Sequence, residues 1–346
     1  MTDVAIAVRS HPAGGWAYPV GAGLLLALIL IAFTVGQYPV RPQELAAALW
    51  NALAGGGDDA AAATVNTVIF QIRGPRILAA VLVGAALAAA GAAYQGMFRN
   101  PLVSPDILGV SSGAALGAAI AIFLSLGIYA IQGFAFLGGL AAVVVVYAVG
   151  ASVKRHDPLL TLILAGVVIG TLLGSCLALI KYLADPYNQL PAITFWLLGS
   201  LAAVAPGDLW VAAPFAAVGL VPMYLLRWRM NLLSLPDDEA RALGVNTGTL
   251  RLTVVCAATL MTAASVAISG VIGWVGLLVP HAARLVVGPD FGRLLPLSML
   301  FGAVYLLGVD TLARTIAPIE IPPGVLTALI GTPVFLWLLA TTRRGW

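Results

Sequence analysis

The chain has 346 residues, of which 61% are hydrophobic and 9% are charged, and its formal net charge is +3. A soluble domain carries roughly a quarter charged residues, and a mean hydropathy of +1.02 would expose more apolar surface than water tolerates. The composition therefore excludes a soluble enzyme, a nucleic-acid-binding module and a disordered scaffold. It predicts an all-α polytopic membrane protein in which residues 1–346 form a single transmembrane domain.

Apolar runs between helix breakers predict about ten transmembrane helices, because a helix needs roughly 20 apolar residues to cross a bilayer. The eighth run is short and contains Pro280. Two further short helices, 42–53 and 191–200, are predicted to lie at the membrane surface. The ten predicted crossings are 18–36, 75–97, 107–126, 133–152, 159–182, 207–226, 251–271, 274–288, 294–313 and 323–342.

An even number of crossings places both termini on the same side of the membrane. With that side cytoplasmic, five of the 17 Lys and Arg residues lie outside and the other twelve lie inside. This asymmetry agrees with the positive-inside rule and predicts cytoplasmic termini. The five outer residues are Arg41, Arg73, Arg76, Lys181 and Arg314.

The sequence also contains a repeated pattern. A glycine-spaced stretch at 91–103 has a counterpart at 270–280, and each follows an Ala-rich span and leads into a turn broken by proline. The first stretch lies on the cytoplasmic side and the second on the outer side. Two halves of opposite topology predict an inverted internal repeat, the arrangement in which many transporters form a pathway between their halves.

No catalytic or metal-binding constellation is visible in the sequence. The histidines are far apart, Cys176 and Cys256 lie in apolar runs, and no phosphate-cradling loop is present. We therefore expect no catalytic, cofactor or metal site, and ATP-driven transport would need an ATPase on another chain. Span interiors hold almost no acidic or histidine residues, which argues against the alternative class, an ion-coupled secondary transporter.

Two arginines mark the outer start of the second predicted span. Arg73 and Arg76 are three residues apart and share a helix face. They are either anchors at a helix end or a docking site for an external partner, because guanidinium groups bind carboxylates bidentately. Both interpretations place the two side chains at an exposed rim, outside the hydrocarbon core.

Residues 232–244 lie on the cytoplasmic side between the sixth and seventh predicted spans. Ser234, the acidic residues after it and Gly244 predict a short helix with Ser234 as its N-cap and Gly244 after its last turn. This segment is either a solvated connector or a coupling helix that docks into a cytoplasmic partner.

These stretches together resemble the FecCD family, the permease subunits of type II ABC importers for iron–siderophores, haem and vitamin B12. The resemblance covers about residues 20–343. It is carried by RGPRILA at 73–79, GMFRNPLVSPDILGVSSGA at 96–114, SGVIGWVGLLVPH at 269–281 and PPGVLT at 322–327.

The resemblance implies a type II importer permease fold in a bacterial inner membrane. It implies a homodimer whose fifth spans line the pathway, two ATPase subunits that bind ATP and Mg, and a periplasmic binding protein. The expected substrate is an iron chelate, most simply a ferric siderophore; haem, cobalamin and a molybdate-type oxyanion are the alternatives.

The resemblance also implies roles for individual residues. Pro158-Leu-Leu stands where the vitamin B12 importer has small polar residues, which disfavours cobalamin and predicts a hydrophobic gate. The implied residues are Arg73, Arg76 and Arg314 for binding-protein docking; Leu232, Ser234, Leu235, Asp237, Glu239, Ala240, Arg241, Leu243 and Gly244 for ATPase coupling; and Pro158, Leu159 and Leu160 for the cytoplasmic gate.

Overall fold

The computed structural model describes residues 14–54, 60–152 and 158–341. Within these ranges the chain is a bundle of helices, and each of the ten predicted crossings corresponds to one of them. The helices are α1 (Gly14–Thr34), α2 (Pro42–Ala54), α3 (Ala60–Asn66), α4 (Gly74–Met97), α5 (Val110–Phe123), α6 (Ile128–Ser152), α7 (Pro158–Leu183), α8 (Gln189–Leu197), α9 (Pro206–Leu225), α10 (Arg227–Met230), α11 (Asp237–Ala242), α12 (Thr247–Ser269), α13 (Val275–Val287), α14 (Phe291–Ala313) and α15 (Pro323–Thr341).

Seven helices of the described ranges are long and apolar enough to cross a membrane, and three shorter apolar helices complete the ten. The shorter ones are α5, α13 and α15. Helices α3 and α4 are joined by a π-helix, Thr67–Arg73, whose wider turn lets the Gly74 N–H donate to the Ile69 carbonyl. With the seven long and three shorter apolar helices, the predicted number of crossings is confirmed.

The connections between helices gather at two ends of the bundle. At the N-terminal end, where α1 begins, the Tyr18 hydroxyl donates to the Arg293 carbonyl near the start of α14. At the opposite end, the Gln189 amide donates to the Phe123 carbonyl at the end of α5. Successive helices run from one end to the other, as ten crossings require.

Helix α4 is the centre of the bundle: in the continuous helical stretch to which it belongs, Ala63–Met97, 78% of an 18-residue apolar segment is buried. Its alanines and glycines allow neighbouring backbones to approach closely, as small residues do in membrane helices. A Cβ at Gly84 would collide with the Gly302 carbonyl oxygen of α14, and one at Gly91 with the Gly276 carbonyl oxygen of α13. The two glycine-spaced stretches of the repeat therefore cross each other in the core.

Two crossings contain broken helices. At 1.5 Å per residue, α5 with 14 residues and α13 with 13 residues span only about 20 Å, whereas the hydrocarbon core is about 30 Å thick. Irregular backbone at 98–109 and 270–274 completes the two crossings. Such backbone is tolerated at membrane depth where protein covers it, as at Pro105, which packs closely against Gly276 of α13.

The order of helix lengths supports the inverted repeat. Helices α4 to α7 run long, short, long, long, and α12 to α15 repeat this order with a somewhat shorter last helix. One detail of the prediction is wrong, because Pro280 lies inside α13 and not in a turn. The second break is instead made by Gly270 and Trp274, which have φ of +65° and +70°.

The predicted surface helices are present with small shifts. Helix α2 begins at Pro42 as predicted, and α8 begins two residues earlier than predicted and ends before Gly199, whose φ is +73°. The third crossing, predicted at 107–126, is shorter. Its first residues form a separate 3-10 helix, Pro105–Leu108, because Gly109 at φ +77° interrupts the helix.

Candidate functional sites at the two ends of the bundle

The three arginines predicted for docking lie together at the opposite end, and we call them the arginine cluster (Arg73, Arg76 and Arg314). Arg76 donates through Nε and Nη2 to Asp310 at 2.8–3.0 Å and through Nη1 and Nη2 to Glu320 at 2.6–3.0 Å. The Asp310 side chain is 1% exposed and that of Glu320 is 29% exposed. The Arg314 Nε lies 4.0 Å from Asp310.

Arg73 and Arg314 hold the end of α1. Their guanidinium groups donate to two carbonyl oxygens in the last turn of α1, where any helix leaves such groups unsatisfied, and to two more in the chain that follows the helix. The positive charges also complement the negative end of the helix dipole. The two groups meet over Gly36, where a Cβ would lie 2.6 Å from Arg73 Nη2. The acceptors are the carbonyl oxygens of Ala32, Phe33, Val35 and Tyr38.

The predicted exposure of Arg73 and Arg76 is therefore wrong, since their exposed fractions are 5% and 8%. The physical reason is that acceptors from distant parts of the chain surround them. The i,i+4 spacing of Asp310 and Arg314 signals one of these pairs in the sequence. Nothing local connects Arg76 with Glu320, which is 244 residues away, so sequence reasoning missed it.

At the N-terminal end lies the segment predicted for ATPase coupling, residues 232–244. Together with Asn231, which begins its 3-10 helix, we call it the coupling segment. It consists of a 3-10 helix, Asn231–Ser234, an extended break and α11. Ser234 does not cap α11: Pro236 is at the N-cap position, without a side-chain hydrogen bond. Asp237 turns instead to Arg251, which donates two hydrogen bonds of 2.6 and 2.9 Å. Gly244 follows α11 with φ of +81°, as its predicted position requires.

The coupling segment is attached to the bundle at three points. Asn231 donates to Asp290 at 2.7 Å and accepts from the Phe291 N–H, at the start of α14. Arg99, on the turn after α4, donates to the Leu233 carbonyl at 2.8 Å and to the Leu235 carbonyl. The third point is the Asp237–Arg251 pair, which holds α11 to α12.

These attachments divide the predicted coupling residues into two groups. Ala240 is fully buried and Leu233, which the prediction omitted, is 1% exposed, so both side chains pack the coupling segment against the interior of the bundle. Leu243, the residue that directly follows α11, is a large apolar side chain that is 61% exposed. Leu232, Leu235 and Asp237 are half-buried, whereas Ser234, Glu239, Arg241 and Gly244 are exposed.

The predicted gate lies at the first turn of α7, which begins at Pro158. Leu159 packs against the main core, and Leu160 is 50% exposed. Leu160 lines an apolar cavity of about 300 Å³ together with Leu164 and Val168. Helix α7 itself is peripheral, because only 11% of an 18-residue apolar segment of it is buried.

A helix bundle with ten crossings, two of them broken, and with two similarly ordered halves defines a membrane permease fold. The chain belongs to the FecCD transport family, whose model matches residues 24–341. It is an ABC transporter permease, a transport component with an all-α fold, and the predicted resemblance is confirmed.

Individual relatives are similar over most of the chain. The molybdate import permease MolB of Haemophilus influenzae is 40% identical, over 93% of this chain and 96% of MolB. A protein of Helicobacter pylori strain 26695 described as an iron chelatin transport system permease is 42% identical, over 81% of this chain and 84% of that protein. A solved inward-facing metal-chelate type ABC transporter has a TM-score of 0.85 and 38% identity, covering 95% of this chain and 99% of that chain.

Proposed function

We propose that the chain is the permease of a bacterial inner-membrane importer that takes up a ferric siderophore. Two copies form the permease, two ATPase subunits bind the coupling segments, and a periplasmic binding protein docks at the arginine clusters. The observation that carries this proposal is the presence of two unlike polar sites at opposite ends of one bundle. One is a short helix followed by the exposed Leu243, with acidic and basic side chains around it, and the other is a buried set of charges.

The distribution of exposed charge supports cytoplasmic termini. Arg229, Arg241 and Arg293 are exposed at the N-terminal end. At the opposite end, the charges of Arg76 and Arg314 are offset by Asp310 and by Glu320. Arg41 is exposed at that opposite end, so the N-terminal end has the larger share of exposed arginines, as the positive-inside rule favours for a cytoplasmic face.

The surface of α7 supports a homodimer. Its outward face carries Thr171, Gly174 and Ser175 in mid-helix, which suits a wet pathway better than lipid. One chain leaves this face uncovered, and a closed two-fold axis would cover it with a second copy. Cysteine introduced at Thr171, with Cys176 and Cys256 replaced by serine, should cross-link between subunits.

The apolar side chains of α7 favour a chelate as the substrate. Leu160, Leu164 and Val168 offer contact to a large, partly apolar molecule and few donors to a small hydrated oxyanion. The similarity to MolB keeps molybdate as the second candidate. The predicted hydrophobic gate at Leu159 and Leu160 agrees with the first choice.

Uptake into proteoliposomes tests the proposal directly. The permease is reconstituted with its ATPase, and the binding protein is added outside with either an iron-loaded siderophore or molybdate. ATP-dependent accumulation of the siderophore is expected. Accumulation of molybdate alone would replace the substrate assignment, and uptake driven by an ion gradient with a hydrolysis-deficient ATPase would replace the mechanism.

A further inference from the structure

Arg99 occupies an unusual position in the α4–α5 turn (residues 98–109). Its φ is +50°, a left-handed conformation that few residues other than glycine adopt. Such conformations persist where the surrounding structure holds them in place, and they concentrate at functional positions. Arg99 is also exposed, so burial of its own side chain does not account for this backbone.

The guanidinium group of Arg99 holds the backbone of the coupling segment. It donates to the carbonyls of Leu233 and Leu235, on either side of exposed Ser234. Leu233 is buried in the main core, whereas Leu235 has the extended backbone that leads into α11. Arg99 therefore binds the coupling segment where its 3-10 helix ends and the extended backbone that leads into α11 begins.

The α4–α5 turn continues from Arg99 to the pathway-side helix α7. It is held in shape by side-chain bonds, with the Leu102 N–H donating to Asn100 and the Ser111 hydroxyl donating to Asp106. Its 3-10 helix packs on α7 so closely that a Cβ at Gly166 would collide with the Ile107 carbonyl oxygen. Gly166 lies eight residues into α7, about 12 Å from its start at 1.5 Å per residue.

The other two attachments lead elsewhere. Asn231 connects to α14 and Asp237 connects to α12, and 18-residue apolar segments of these helices are 61% and 72% buried. Helix α7 packs chiefly against α5, α6 and the 3-10 helix of the α4–α5 turn. A displacement of the coupling segment thus has a short, continuous route to α7 through Arg99.

We propose that Arg99 is a positioning residue that transmits movement of the coupling segment through the α4–α5 turn to α7. This inference rests on the proposed function, in which an ATPase moves the coupling segment. Arg99 binds backbone carbonyls, so it follows the position of the segment whatever side chains the segment presents. Hydrolysis at the ATPase then changes the separation of α7 from its counterpart across the pathway.

The test measures ATP hydrolysis and siderophore uptake in the same proteoliposomes. Arg99→Ala should bind the ATPase and hydrolyse ATP at nearly the original rate, while uptake falls about tenfold, a factor typical of coupling between linked sites. Arg99→Lys keeps the charge but loses the fork that spans two carbonyls, and should lie between. The matched control is Arg293→Ala at the same end, whose side chain is 61% exposed and lies 3.9 Å from Asp290.

A distance measurement separates transmission from a merely structural role. A spin label at Leu164 on α7, a side chain that is 56% exposed, should change its distance from the same label in the second subunit when the ATPase is trapped with vanadate. Arg99→Ala should abolish this change and leave the resting distance as it was. If Arg99→Ala does not fold, Arg99→Lys provides the same comparison.

Three outcomes decide between the two proposals. An unchanged ratio of ATP hydrolysed to substrate moved in Arg99→Ala overturns the transmission role. Equal losses of ATPase binding and uptake also overturn it, because Arg99 would then only support the docking surface. Failure of the unmodified permease to stimulate its ATPase or to take up substrate contradicts the proposed function itself, whatever the variants do.

Discussion

Arg76 and Asp310 are 234 residues apart in the sequence, yet the guanidinium group of Arg76 donates to both carboxylate oxygens of Asp310 at 2.8–3.0 Å. Both side chains are at most 10% exposed. The pair joins the first turn of α4 to the last turn of α14, so it ties the two halves of the repeat at the end of the bundle opposite the start of α1.

Removing one member of this pair should destabilise the permease strongly. Asp310→Ala leaves a buried arginine charge with only Glu320 as its acidic partner, and breaking a buried pair typically costs about 3–5 kcal/mol. Thermal unfolding in detergent measures the loss. Arg41→Ala on the same face is the control and should change stability by less than about 0.5 kcal/mol. Equal unfolding temperatures for the two variants would contradict this account.

Glu320→Gln should affect docking more than stability. Its side chain is 29% exposed, and Arg76 keeps Asp310 when the Glu320 charge is removed. The net charge of the three arginines with Asp310 and Glu320 then rises from +1 to +2, which should accelerate encounter with an acidic binding protein. Stopped-flow association rates should show a gain at low salt that shrinks above about 0.1 M. Glu44→Gln is the control, and a slower association in Glu320→Gln would argue against docking here.

Leu243→Asp should prevent the ATPase from binding while the permease still folds. Leu243, at the end of α11, is 61% exposed, so its replacement removes an apolar contact without disturbing the core. Co-purification of the two subunits, together with the elution profile of the permease, measures the effect. Asp238→Ala on the same helix should retain binding. A normal complex with Leu243→Asp would show that the segment meets no apolar cleft.

The attachment of α11 to α12 should weaken in acid. Hydrogen bonds from Arg251 hold the pKa of Asp237 below its usual range. A lowered folded pKa means that the stabilisation is complete above the ordinary aspartate pKa of about 3.9 and is lost as the pH falls through the lowered pKa. A spin label at Leu243 should therefore gain mobility below about pH 4. Asp237→Asn should be mobile at every pH, and a label equally immobile across the range would exclude the attachment.

The crossing of α4 and α13 should not tolerate a methyl group. A Cβ at Gly91 would overlap the Gly276 carbonyl oxygen, whereas one at Gly96 would lie 3.9 Å from Phe291. Gly91→Ala should cost about 1–3 kcal/mol, as overpacking of a filled core does. Gly96→Ala should be nearly neutral in the same melting assay. Similar melting temperatures would mean that the two helices separate easily.

The number and order of the helices could be predicted because the length and hydropathy of apolar runs identify membrane spans in a sequence. The two breaks were harder to place. Pro280 suggested one, but α13 accommodates that proline, and the break falls at Gly270 to Trp274 where positive φ values are needed. A single sequence shows which residues can break a helix, but the packing of neighbouring helices determines which of them do.

The sequence predicted which site residues lie together better than it predicted their burial and their hydrogen-bond partners. The arginine cluster does form, but its members are buried by acceptors such as Glu320 and the end of α1, which no local pattern connects to them. Arg99 lies in a stretch that carries the family resemblance, yet its role became visible only once Leu233 and Leu235 were placed beside it. Long-range hydrogen bonds of this kind leave no periodic trace in a sequence.

The π-helix at Thr67–Arg73 determines how α3, before it, is rotated about the helix axis relative to α4, after it. Before it, Val65 packs against the cluster that Val40 and Leu45 form with Ile69 of the π-helix itself, and after it, Arg76 faces Asp310. An α-helix turns about 100° per residue, so deleting a single residue here would turn one of these surfaces away from its partners. A chimera that takes α3 from another permease must therefore preserve the number of residues between α3 and α4, even where the hydropathy of the two segments matches.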